Sequence, residues 1–468
     1  MDYIYIILLN ILSCIIIILN GLSFKKIISL NGKFDVFETG LYGIISISFI
    51  TFILNFFFRI SNLASLIILF LPLILIWKEA IDKRGSIFFW SSLLGLISSL
   101  IMFFDNVNRP DAGLYHLPFV NIINDSKIII GVANLEFRFG HISILQYLAA
   151  AFNNFIFTEK GVLLSVANIF SFVIFYLISL ARKGGKIYWI IIFLFLFNIL
   201  YSMNRYSGFG NDDPGHMFYY LVVANFILVF LKKENIKAKN NVVLFSTFTF
   251  LIKPFLIFVF LFPLLLIFSK KIKLFFSLNW LSFVFIFLWI IKNILISSCA
   301  LYPEGKSCIK TLKWSTYKSE MSNPERAKLV SEAWSKDWPN KTGSIKYEEY
   351  IKNFNWLNIW TNNHLKIVLK EIAPQILILF LLFVFRPINP KNEIFEKKWY
   401  LSTQIFIVSF ISFTVWFLKY PTYRYGHAYI ITFLNSFLIL YLFSDLKIFS
   451  TSFKNIRIIG TSIMIILM

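Results

Sequence analysis

The residues that could do chemistry occur as short polar motifs set into apolar sequence. Asp111-Ala112-Gly113-Leu114-Tyr115-His116 opens a long polar stretch, and Asn211-Asp212-Asp213-Pro214-Gly215-His216 precedes a later apolar run. Lys253-Pro254 interrupts another run. Trp289-Ile290-Ile291-Lys292-Asn293 leads to Leu301-Tyr302-Pro303, and Lys419-Tyr420-Pro421-Thr422-Tyr423-Arg424-Tyr425-Gly426 lies between two late runs. A carboxylate among several fixed cations suits a general base working beside a bound phosphate. The carboxylate takes a proton from the nucleophile, and the cations hold the anionic leaving group.

Asp111 is the candidate base, although an Asp at that position also fits a helix start beside the positive end of the dipole. Arg424, Lys253 and Arg205 are candidates for the phosphate, and Arg138 is a further cation. Asp212 and Asp213 could position an acceptor or hold a divalent cation, and the Pro214 that follows fits a plain helix start equally well. Tyr115 and His116 could order Asp111 or touch a sugar, while an interfacial aromatic role suits Tyr115 as well. His141, His216 and His427 are isolated histidines, more simply read as structural than as metal ligands. Trp314, Trp334, Trp338, Trp356 and Trp360 could stack on sugar rings, but the simpler expectation is a packed core.

The elements that must position these residues are membrane helices. Hydrophobic residues make up 58% of the chain, charged residues 15%, and mean hydropathy is +0.73. A soluble domain is usually near 45–50% apolar and about 25% charged. Apolar runs such as Tyr3–Asn20, Ser86–Phe104, Ile187–Met203 and Phe275–Ile296 recur. In lipid each must be a helix, because every backbone polar group needs an internal partner. The runs lack the alternation of a barrel strand. The first run has no basic segment before it and no small-residue cleavage site after it, so it reads as a retained span.

The net charge of +21 is dispersed over short loops, which argues against nucleic-acid binding and orients those loops to the cytoplasm. The basic loops lie near residues 25–33, 78–84, 182–186, 232–239, 270–273, 386–398 and 447–457. The connections that then lie outside are 58–62, 104–160, 204–215, a turn at Lys253-Pro254, 297–371 and 419–426. This alternation gives an all-α polytopic bundle of about 13 or 14 spans. Its parts are N-terminal transmembrane helices (1–103), a first outer loop with the acidic motif (104–160), central transmembrane helices (161–296), an extracytoplasmic insertion (297–371) and C-terminal transmembrane helices (372–468). In the first outer loop two amphipathic helices are expected along the membrane surface, one after Pro110 and one over Phe139–Phe155. Cys299 and Cys308 flank a Pro- and Gly-containing turn on the outer side, where an oxidising compartment favours a disulfide. Cys14 reads as inert packing.

On these motifs the chain resembles the GT-C superfamily of membrane glycosyltransferases, which includes protein O-mannosyltransferases and the aminoarabinose transferase of lipid A. The acidic motif of the first large outer loop matches Asp111 with Tyr115 and His116. A second acidic site after a later span matches Asp212 or Asp213. Asn293 with Tyr302-Pro303, and Pro421, Arg424 and Tyr425, resemble later features of the family. The resemblance spans about 100–430. Three departures stand out. Ala112 replaces the second acid of the usual doublet, three spans precede Asp111 where simpler members have one, and no lectin-like domain follows the insertion.

The resemblance implies a GT-C-like fold. It also implies an inverting transfer of a sugar from a polyprenyl-phosphate donor to a lipid, glycan or protein acceptor. The reaction would take place on the periplasmic side of a bacterial inner membrane. The resemblance leaves metal dependence open, and a divalent cation is the one cofactor that these acids could hold. Two rivals remain. A polysaccharide polymerase or ligase would lean on Arg and His. A flippase or other transporter would show internal repeats and midplane charges, and neither is visible here. Nucleotide-sugar use is not expected, because Arg182-Lys183-Gly184-Gly185-Lys186 is too short to cradle phosphates.

Overall fold

The computed structural model describes residues 3–28, 34–103, 111–203, 208–231, 235–269, 279–338, 346–385 and 396–443. Among these residues every extended element is helical, and β pairing is limited to two isolated bridges, Asn154–Thr158 and Cys299–Cys308. The principal helices are α1 (Tyr3–Ile27), α2 (Val36–Asn55), α3 (Asn62–Asp82), α4 (Arg84–Phe103), α5 (Leu117–Asp125), α6 (Ile144–Phe152), α7 (Lys160–Gly184) and α8 (Lys186–Tyr201). They continue as α9 (Asp212–Leu231), α10 (Ile236–Ile252), α11 (Pro254–Phe268), α12 (Asn279–Ser297), α13 (Pro324–Ser335), α14 (Leu357–Val384), α15 (Glu396–Lys419) and α16 (Tyr423–Phe443).

Among the described residues, 10 helices are long and apolar enough to cross a membrane: α1–α4, α7, α9, α12 and α14–α16. The chain is a multi-pass membrane protein. Against the 13 or 14 spans expected, α8 and α11 are apolar but shorter, and α10 is a further helix of 17 residues. Four candidate spans precede Asp111, not three. The break expected at Pro254 is present. Lys253 is extended, as a residue before proline prefers, and Pro254 begins α11. The apolar stretch after 457 lies outside the described residues.

The basic loops gather at one end. Lys25 has Lys237, Glu38, Lys83 and Glu79 as charged neighbours, and Lys183 pairs with Asp35 at 2.9 Å. The basic residues at 33, 232–233, 270–273, 386–391 and 447–457 lie outside the described residues. At this end Glu38 is buried in α2 and paired with Lys237. Its Oε1 also accepts from Asn241 at 2.9 Å and from Tyr176 at 3.4 Å. Such partners are needed because an unpaired carboxylate in this setting would cost several kcal/mol. The network ties α2, α7 and α10 together.

One expected helix is placed differently. In place of a surface helix over Phe139–Phe155, a short turn at Phe137–His141 leads into α6, all nine residues of which are buried. The helix Ile-Leu-Gln-Tyr-Leu-Ala-Ala-Ala-Phe is apolar almost all round, and its alanines permit close approach, so it packs inside the bundle rather than along it. α5 is amphipathic as expected, burying Phe119, Val120 and Ile123.

The tightest packing joins α1 and α2. A Cβ added at Gly21 would lie 1.7 Å from the Thr39 carbonyl oxygen, and one at Gly43 would lie 1.8 Å from that of Ile17. Two backbones touch there, as small residues allow in membrane helix pairs. Gly43→Leu should therefore force the pair apart and destabilise the protein by roughly 1–3 kcal/mol, the usual range for overpacking. A lower midpoint in detergent-solubilised thermal unfolding is the expected result.

Candidate active site

The site is assembled at the end of the bundle opposite the basic cluster, on the face that carries the 297–371 insertion. Asp111 stands at the start of a helical turn, Ala112–His116, that runs into α5. Its carboxylate makes no capping hydrogen bond. Instead it accepts from Nη1 of Arg424, 313 residues away, at 2.8 Å. Arg424 lies in the first turn of α16, and its Nε is 3.7 Å from Oδ2 of Asp212 at the start of α9. Lys253, at the break between α10 and α11, pairs with the other oxygen of Asp212. Two carboxylates and two cations from four chain segments thus form one cluster. None of the four is fully enclosed, and the Asp111 and Arg424 side chains remain about one third exposed, at 32% and 39%.

Aromatic groups frame the charges. Lys253 sits 4.1 Å from the centre of the Tyr425 ring, and Arg424 sits 5.0 Å from it. Arg424 also donates to the Tyr425 hydroxyl at 3.2 Å. The Trp334 ring lies 5.7 Å from the Arg424 guanidinium, and Trp334 is 50% exposed. Trp334 is therefore not part of the insertion's core, whereas Trp356 and Trp360 are buried as expected. Its short helix α13 packs inward through Ala327, Glu332 and Ala333, which leaves Trp334 on the side that overhangs the cluster. The sequence holds no mark that separates Trp334 from the core tryptophans. Tyr425, by contrast, belongs to the same late motif as Arg424.

The turn that carries Arg424 is pinned from several sides. The Trp360 indole donates to the Pro421 carbonyl at 2.7 Å, and the Trp416 indole donates to that of Thr422 at 2.9 Å. His216 donates from Nε2 to the Arg424 carbonyl at 2.8 Å, and its Nδ1 accepts from the Ala428 amide at 3.4 Å. Those two bonds fix its neutral tautomer and give it a positioning role. His216 and His427 pack ring against ring at 5.3 Å. Buried Glu332 of α13 pairs with Lys336 at 2.7 Å and reaches Lys419 at 3.5 Å, which joins the insertion to this turn.

Tyr115 and His116 stand beside Asp111, their rings 4.1 Å apart. Burial, with the Asp111 charge next, raises the Tyr115 hydroxyl well above its ordinary range. Burial pushes His116 down to about 4, against the opposing pull of Asp111. Its Nδ1 contacts the Gln146 amide at 3.4 Å. Arg138 pairs with Glu136 at 3.1 Å and lies 5.9 Å from the Tyr115 ring, at the rim of the site. His141 lies at the surface, and the mass of protein around it, with Lys253 and Arg138 nearby, takes it down to about 4.

Other candidates are placed elsewhere. Tyr302 is buried over Gly140, packs against His141 at 5.5 Å and donates its hydroxyl to the Ser322 carbonyl at 2.9 Å. It supports the loop rather than facing the ionic cluster. Asn293 donates to the Ala300 carbonyl at 2.9 Å. Asp213 is buried in the first turn of α9, behind Asp212. Cys299 and Cys308 are bonded to each other, and Cys14 is buried with its thiol on Asn168 at 3.3 Å. Arg205 lies outside the described residues. Among the described residues no group of three His, Cys, Asp or Glu side chains is arranged to hold a metal ion.

Fold and site together define a multi-pass helical membrane protein with a charged cluster at one rim of its bundle. The chain belongs to the family described as a domain of unknown function, DUF8201, whose profile matches residues 3–431. No curated protein and no solved structure matches it.

His116 gives a pH test of this geometry. Its value in the folded protein lies below the ordinary 6.5, so the unfolded chain takes up a proton first as pH falls. The stability this group contributes is present above about 6.5 and is lost as pH falls toward about 4. Thermal midpoints measured from pH 7 to pH 4 should fall less steeply in His116→Gln than in the wild type.

Proposed function

We propose that the protein is an inverting glycosyltransferase with a polyprenyl-phosphate sugar as donor. On this reading it works at the exoplasmic side of a bacterial inner membrane, with a GT-C-like arrangement. The observation that carries the reading is the 2.8 Å contact of Asp111 with Arg424, with Lys253 and Asp212 alongside. A pair this exposed is worth roughly 0–1 kcal/mol. Stability alone gives little reason to gather four charges from four segments, whereas a site for an anionic leaving group needs them. The Cys299–Cys308 bond fits an oxidising compartment on that side.

The donor's phosphate competes with Asp111 for Arg424, whose fork of donors matches phosphate oxygens. That competition frees the carboxylate. Asp111 then takes the proton of the acceptor hydroxyl while the acceptor oxygen attacks the anomeric carbon from the face opposite the phosphate. The bond from anomeric carbon to phosphate oxygen breaks, and its electron pair leaves on the lipid phosphate. Arg424 and Lys253 stabilise that charge, so no strong general acid is required. The proton on Asp111 passes to solvent. Trp334 offers a ring face for the sugar, and Tyr425 holds the two cations in place. Asp212 keeps Lys253 and Arg424 oriented. The acceptor is a hydroxyl on a lipid, a glycan or a protein.

Transfer from a radiolabelled polyprenyl-phosphate sugar in proteoliposomes tests this directly. Asp111→Asn should lower the rate by roughly 10²–10⁴-fold, the usual share of a general base, with membrane insertion unchanged. Arg424→Gln should depress the same step, and Trp334→Ala should chiefly raise KM for the donor. Wild-type transfer by Asp111→Asn would remove this mechanism.

A further inference from the structure

A second polar recess lies on the insertion face, at the far end of α5. It is a cleft of about 500 Å³ between the α2–α3 turn, the C-terminal half of α5 and the α6–α7 turn. That volume lies within the range of small-ligand sites. Asn121 lies ten residues along the chain from Asp111, so the cleft begins about 15 Å from the ionic cluster at helical rise.

Its walls are rigid and rich in amides. Asn124 donates to the carbonyls of Ile60 at 2.8 Å and Ala150 at 3.0 Å, and accepts from Asn153 at 2.9 Å. The Asn62 carbonyl oxygen accepts from the Phe155 amide at 3.0 Å. These bonds fix the planes of three amides that line the cleft. Asn121, Arg59 and Asp125 also line it and are exposed. The side chains of these three make no hydrogen bond or ion pair to another described residue. At the rim Phe155 is 65% exposed.

This lining selects a chemistry. An amide offers a donor and an acceptor in one plane, which is what a sugar hydroxyl needs, since it both gives and receives. One Arg and one Asp leave the cleft without net charge, so it has no electrostatic preference for phosphate. An exposed ring beside amides and a carboxylate suits the apolar face of a pyranose. We propose that this cleft is a carbohydrate-binding site that takes a neutral, hydroxyl-rich oligosaccharide. The assignment does not depend on transfer at Asp111.

Saturation-transfer NMR on the full chain in phosphatidylcholine nanodiscs tests it without any reaction. The probes are maltotriose, mannobiose and chitobiose, with glycerol phosphate as the anionic lipid-headgroup comparison. At least one neutral saccharide should receive saturation. Asn121→Trp, an exposed position where the larger ring fills the cleft, should abolish that signal. Asn121→Ala with Asp125→Ala should weaken it roughly tenfold. Asp111→Asn should leave it intact. The proposal is overturned if no neutral saccharide responds or if only glycerol phosphate does. It is equally overturned if the signal survives Asn121→Trp or disappears in Asp111→Asn. Saccharide binding that persists while labelled donor gives no transfer would remove the glycosyltransferase reading and leave the cleft assignment standing.

Discussion

Charge neutralisation at the rim of the bundle is the constraint on which the rest of the site depends. Asp111, Asp212, Lys253 and Arg424 arrive from segments that share no local sequence, and each satisfies another. Ionisable groups beside a bilayer are costly unless paired or wetted. These four are paired and partly wetted together. Their resting arrangement is balanced, two positive against two negative, so an entering anion does not meet an empty positive pocket. It must displace a carboxylate from a guanidinium. On the mechanism proposed above, that exchange would link arrival of an anionic donor to release of a base, and the ion pair would belong to the chemistry as well as to the scaffold.

The scaffold invests its hydrogen bonds in keeping Arg424 still. Two indoles hold the carbonyls that precede it, and His216 holds its own. Helix α16 can approach Trp416 only because residue 426 is glycine, where a Cβ would lie 2.2 Å from the indole. The insertion is fastened to the same turn through Glu332 and Lys419. At the other end of the bundle, Glu38 and its amide and phenol partners fasten α2, α7 and α10. Polar networks therefore lock both ends, and aromatic and aliphatic packing fills the length between them.

Much of this was legible in the sequence, for identifiable reasons. Apolar length compels helices in lipid, so the runs became helices with little freedom to do otherwise. Alternating basic loops put Asp111, Lys253 and Arg424 on one face, and Pro254 marked its own break. Other features depend on three-dimensional placement that a linear pattern does not carry. Trp334 looks like Trp356 until α13 is docked. The stretch 139–155 reads as one surface helix until its apolar part, α6, is seen covered on every side. Tyr302 sits in a motif that suggests chemistry, but its hydroxyl is taken by Ser322. The asparagines of the α5 cleft are dispersed over nearly a hundred residues, and nothing in their local sequence announces that they share a wall.

The backbone contact between α1 and α2 has a bearing on how the protein is made. It needs only residues up to Gly43, and no later segment contributes to it. A helical hairpin joined in that way can form while the remainder of the polypeptide is still being synthesised. Subsequent spans then have a ready surface to dock against, and biogenesis can proceed outward from the amino-terminal pair.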